Sequence, residues 1–175
     1  MGHVFTVMDA RQFLSLIIKP SLRSIGLQSV AAEQLLLGTA LHESGGLRYI
    51  KQINGPALGI YQMEPATYKW LMGYIDDRFA NSNLHSLIRQ SVPRRFVAWP
   101  EAAYMSVNME WATIVARLFY YSKPQPLPPA GDLTALARYY KRYWNTEKGK
   151  ADPQDFMVAL NPYLAEWPLW VAGPA

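Results

Sequence analysis

The chain of 175 residues contains no cysteine, which excludes disulfides and thiolate metal sites together. Histidine is scarce, with three at positions 3, 42 and 85. Their spacing suits no metal, and neither a metal nor a cofactor is expected. Long apolar runs are also missing: no window approaches the roughly 20 uncharged residues of a membrane span. The N-terminus lacks a basic stretch followed by an uninterrupted apolar one, so no signal peptide is expected. Charged residues make up only 17% of the chain, for a net charge of +4. They are scattered, the densest basic cluster being Lys141-Arg142 with Arg138 nearby. No basic tract marks a nucleic-acid arm, and no nucleic-acid partner is expected.

What is abundant is apolar and aromatic. Half of the residues are hydrophobic, and six Trp and eleven Tyr are many for this length. That is a globular composition, and the length suits one domain over residues 1–175. The rings read either as core or as a groove that stacks on sugars. The mild basic excess suits an anionic partner.

The periodicity is helical throughout, with no alternating strand pattern and no repeat, which predicts an all-α fold. Asp9 can cap a first helix that Pro20 kinks or ends. Ser29 can cap a second, Val30 to about Glu43, which Gly45-Gly46 stops. Pro65 can open a third through Met72. Asp76 to Asn83 reads as a polar turn, and a short helix follows around Leu84, Leu87 and Ile88. Pro100 opens the longest helix, about 100–122, apolar on most sides and expected to be the buried central spine. The run 123–129 is a stiff Pro-rich connector. Asp132 and Asp152-Pro153 open two more helices, and the tail with Trp167, Pro168 and Trp170 reads as an extended strap.

Cleaving a glycosidic bond takes a proton donor at the leaving oxygen, and a carboxyl group serves near neutral pH when its pKa is raised. Glu43 follows an apolar helix, sits at its negative C-terminal end, and precedes two glycines that leave room for a polymer. All three features favour a protonated carboxyl open to a bulky substrate.

Three segments add a resemblance. His-Glu-Ser-Gly-Gly at 42–46, Ala-Leu-Gly-Ile-Tyr-Gln-Met-Glu-Pro-Ala-Thr at 57–67 and Ala-Leu-Ala-Arg-Tyr at 135–139 resemble the motifs of lytic transglycosylases, in that family's order. The resemblance spans roughly residues 30–145 and implies a lysozyme-like fold and cleavage of bacterial peptidoglycan. By it, Glu43 is the catalytic acid and base, and Ser44 positions it or the backbone around it. Gln62 contacts substrate from the loop, Gly59 permits close backbone approach, and Tyr139 holds Glu43 by a hydrogen bond. Tyr61, inside the loop motif, is the aromatic residue favoured to meet sugar; Tyr68, Trp70, Trp99 and Tyr104 read mostly as core. The sequence departs from the pattern where Ile53-Asn54 stand near the family's loop Ser, and where Tyr140 replaces its Asn.

Glu64, Asp76 and Asp77 are the candidates for a second acid. Glu64 reads as the cap of the third helix and the aspartates as part of the turn, which favours a one-carboxylate transglycosylase over a lysozyme-type hydrolase. A non-catalytic wall-binding or virion module is the other alternative. His42 adjoins Glu43 but points about 100° away on a helix, and reads as structural. Peptidoglycan glycan strands are the expected partner, reached from a phage particle or during lysis, with other virion proteins as further partners.

Overall fold

The computed structural model describes residues 8–145, 152–164 and Trp167. It is all-α, 64% helical, with no strand among the described residues. Helix α1 runs as Ala10–Gln12, a π-helical stretch Phe13–Ile18 and Lys19–Ser24. Asp9 caps it, accepting from Gln12 N at 2.9 Å. Pro20 neither ends nor interrupts it. Lys19 N bonds five residues back to Leu14 O, and the wider π turn clears the Leu16 carbonyl that an α turn would press against the proline ring.

Helix α2, Val30–Glu43, is capped by Ser29, which accepts from Ala32 N. It is buried from Ala32 to Leu41. Helix α3, Pro65–Phe79, continues beyond the predicted end and absorbs Asp76 and Asp77. The aspartates therefore form no turn. Asp76 instead accepts from Trp99 Nε1 at 2.9 Å and lies 3.0 Å from His85 Nε2, tying α3 to α4, Asn83–Ser91.

The expected spine is shorter than the 100–122 read from the sequence. A 3-10 turn, Ala102–Ser106, precedes α5, Met109–Tyr121. Asn108 separates them because its side chain caps α5, accepting from Trp111 N at 2.8 Å. Val107 consequently leaves the apolar stripe and is 79% exposed. From Trp111 to Tyr120, α5 is buried as expected of a spine. Thr39 and Tyr120 join it to α2 by a 2.8 Å hydrogen bond.

Helix α6, Leu133–Tyr140, is capped by Asp132 and continues as a π turn, Lys141–Asn145. Tyr139 and Arg142 hold the Pro-rich connector, bonding Gln125 O and Gln125 Oε1. Helix α7, Pro153–Leu164, lies along α2. Gly38 makes that contact possible: a Cβ there would stand 2.3 Å from Phe156 Cζ. One core cluster links all of these helices. Of the tail read as a strap, Trp167 is described and buried; Pro168 and Trp170 lie outside the described residues. No described helix is long and apolar enough to cross a membrane.

Candidate functional site

Glu43 is the last residue of α2, and its side chain is only 18% exposed. Gly45 and Gly46 follow with φ of 62° and 78°, turning the chain away and leaving the carboxyl group facing a groove. Burial raises the Glu43 pKa above the ordinary carboxyl value, and a hydrogen bond from Tyr140 opposes that rise. Tyr140 OH donates to Glu43 Oε1 at 2.5 Å and lies 2.8 Å from His42 Nδ1.

This corrects two expectations. The residue that holds Glu43 is Tyr140, one position after the predicted Tyr139, whose hydroxyl points to Gln125 O. Successive helix residues lie about 100° apart, so only one of the two can face α2. Tyr140 shares its face with Leu136, four residues earlier, and both are fully buried. That i, i+4 pairing was the available signal, and the motif alignment hid it. His42 is likewise drawn to the carboxyl group, with Nδ1 4.0 Å from Glu43 Oε1, because Tyr140 enters between them. Burial lowers the His42 pKa, with Asp155 of α7 acting the other way.

Burial and the neighbouring Glu43 keep the Tyr140 phenol protonated, well above its ordinary range. A phenol has one proton to give and lone pairs to accept. With Glu43 ionised, Tyr140 donates to it and can accept from His42 Nδ1–H. With Glu43 protonated, the chain can reverse, the carboxyl donating to Tyr140 and Tyr140 to His42. The arrangement can therefore serve a carboxyl group in both its acidic and basic states.

The groove has a volume of about 550 Å³. Its polar wall holds Glu43, Gln52, Gln62, Glu64 and Thr67, and its aromatic wall Phe119, Tyr143 and Trp144. Gln62 comes from the loop between α2 and α3, whose tip is pinned by paired bonds between Leu58 and Met63. With φ of 50°, Gln62 turns its Nε2 back to donate to Gly59 O at 2.8 Å. Glu64 stands at the N-cap position of α3 but makes no side-chain capping bond. It lines the groove instead of capping the helix as the sequence suggested. Gln52, Tyr143, Trp144 and Asn145 also line it without having been singled out.

The remaining predicted site residues are structural. Ser44 is fully buried; its Oγ donates to Ala40 O and accepts from Leu47 N, so it shapes the backbone beside Glu43 and cannot touch substrate. Gly59, φ 74°, admits the backbone of its own chain: a Cβ there would meet Met105 O at 2.8 Å. Tyr61 is 1% exposed, its hydroxyl 3.1 Å from Thr113 Oγ1, and it packs between Phe13 and Trp144. A sequence motif marks chain geometry as well as ligand contact, and here these three positions serve geometry. Comparison with protein-family models, curated proteins and solved structures gives no significant match.

Proposed function

We propose that this protein is a lysozyme-like enzyme that cleaves the β-1,4 glycan strands of peptidoglycan by the lytic transglycosylase reaction. The observation that carries the reading is Glu43 itself. It is a mostly buried carboxyl group with a raised pKa, held by Tyr140 at a helix end, and it opens on a groove of about 550 Å³ lined by polar and aromatic side chains. Glu43 protonates the glycosidic oxygen as its bond to the muramyl anomeric carbon breaks. The carboxylate then removes the proton of that sugar's 6-hydroxyl, whose oxygen closes on the anomeric carbon. The products are a 1,6-anhydro end and a free hydroxyl, and Glu43 regains its proton.

Glu64 in the same groove favours a second reading, in which it activates a water and the products are hydrated. Delivery by a phage particle or during lysis, with virion proteins as partners, belongs to the same proposal. Digestion of purified wall followed by mass spectrometry tests the reaction. Anhydro ends, lost in Glu43→Gln and kept in Glu64→Gln, are expected. Hydrated ends that need both carboxylates would replace it with hydrolysis, and an intact wall would reject both.

A further inference from the structure

Beyond the catalytic groove, on the neighbouring face of α3, lies a second opening of about 560 Å³. Its lining is Ala66, Lys69, Trp70, Gly73, Tyr74 and Asp77. Trp70 is 50% exposed, an unusual state for so large a ring in a chain with a well-filled core. It is not loose. Tyr74 stacks on it with centroids 5.5 Å apart and 24° between planes, Phe79 braces Tyr74, and Tyr121 braces Phe79. The platform is fixed before any ligand arrives, which lowers the ordering cost of binding.

Gly73 is the second observation. A glycine inside a helix costs about 1 kcal/mol relative to alanine, and no packing demands it, since an added Cβ would meet nothing within 4 Å. Its missing side chain leaves the floor beside Trp70 open. Lys123 is the third. Its ammonium lies 5.2 Å from the Trp70 ring centroid and 3.6 Å from that of Phe119, and burial lowers its pKa. No acidic side chain pairs with it among the described residues. Phe119 lines the catalytic groove and Trp70 the second opening, so Lys123 lies against one ring of each. Along α3, Thr67 of the groove is followed by Trp70 after about 4.5 Å of rise.

We infer that this opening is a remote glycan subsite: Trp70 stacks on a sugar ring of the strand leaving the catalytic groove. Lys123 pairs with a carboxylate carried by that strand, on a lactyl group or a stem peptide, and Lys69 and Asp77 serve sugar hydroxyls. The assignment rests on the glycan-strand reading of the main groove, but its test does not depend on turnover.

Solubilised strands, with stem peptides and enzymatically stripped of them, are titrated into the Glu43→Gln protein by calorimetry. In that background Trp70→Ala should weaken binding of both by about tenfold, the scale of a well-packed aromatic anchor. Lys123→Gln should weaken the peptide-bearing strand more if the stem peptide carries the paired carboxylate, and the stripped strand more if the lactyl carboxylate freed by stripping does. In either case most of the salt dependence should be lost; unchanged affinity for both strands would remove Lys123 from the subsite. Gly73→Leu is the decisive variant: it should raise the melting temperature through helix propensity yet lower affinity by a similar factor. Affinities unchanged in Trp70→Ala and Gly73→Leu would overturn the subsite while leaving the cleavage reading intact. Strand binding through Trp70 in a protein whose wild type leaves the wall uncut would keep the subsite and reject the cleavage.

Discussion

Tyr140 offers a single proton to Glu43 and His42, and that competition sets the behaviour of the site at the scale of residues. Its bond to Glu43 favours the ionised carboxyl, against the burial that favours the protonated one. Tyr140→Phe removes the opposing influence, so the Glu43 pKa should rise further. The alkaline limb of the kcat/KM profile should move to higher pH. Losing a hydrogen bond to a charged group, worth about 1.5–3 kcal/mol, should lower kcat by roughly ten- to a hundredfold. An alkaline limb that stays in place would remove Tyr140 from the titration. Tyr139→Phe is the control: it frees only the connector carbonyl of Gln125, and should cost about 1 kcal/mol of stability with the profile unmoved. The buried helix-end setting of Glu43 was legible in the sequence because it depends on local features, an apolar helix and two glycines. The choice between Tyr139 and Tyr140 depends on which face of α6 meets α2, and a motif match is blind to a rotation of 100°.

Among the elements, the contact of α2 with α7 most directly supports the site. Phe156 of α7 packs on Gly38 and stacks on Tyr140 at 4.8 Å. Propensity alone would have Gly38→Ala stabilise α2 by about 1 kcal/mol. The Cβ would collide with the Phe156 ring, however, and overpacking of this kind costs about 1–3 kcal/mol. Urea unfolding should therefore show a net loss, reduced when Phe156→Leu is added to make room. Equal losses with and without that second change would place the strain elsewhere. Phe156→Ala should cost about 3–5 kcal/mol and release Tyr140. Helix starts were legible because Asp9, Ser29, Pro65 and Asp132 act on their own first turns. The π turn at Pro20 and the break at Asn108 were not, since each turns on a choice of hydrogen bonds that apolar periodicity cannot express. Of the aromatic assignments, Tyr68 lies in the core as read, but two failed. Tyr61, favoured for sugar, lies in the core, while Trp70, read mostly as core, faces solvent.

The whole molecule registers the mostly buried Glu43 carboxyl group in its stability. Glu43 has its pKa raised by folding from the ordinary 4.5. Below that value both folded and unfolded chains hold the proton, and the contribution to stability is complete. As pH rises past it, the unfolded chain loses the proton first and binds fewer protons than the folded one. Stability therefore falls with increasing pH until Glu43 ionises in the folded state, and levels off beyond. Each tenfold difference in proton affinity between the two states corresponds to about 1.4 kcal/mol. Glu43→Gln keeps an oxygen to accept from Tyr140 but cannot ionise. Its advantage over wild type should grow from about pH 4.5 upward and then become constant. His42 works oppositely: its lowered pKa makes the folded state gain stability as pH rises toward the ordinary 6.5. To the extent that His42 titrates alike in both proteins, that contribution leaves their difference. Chemical unfolding of the pair across pH 3 to 9 measures that difference directly. A gap that narrows with rising pH would mean that folding lowers the Glu43 pKa, and with it would go the case for Glu43 as a proton donor near neutrality.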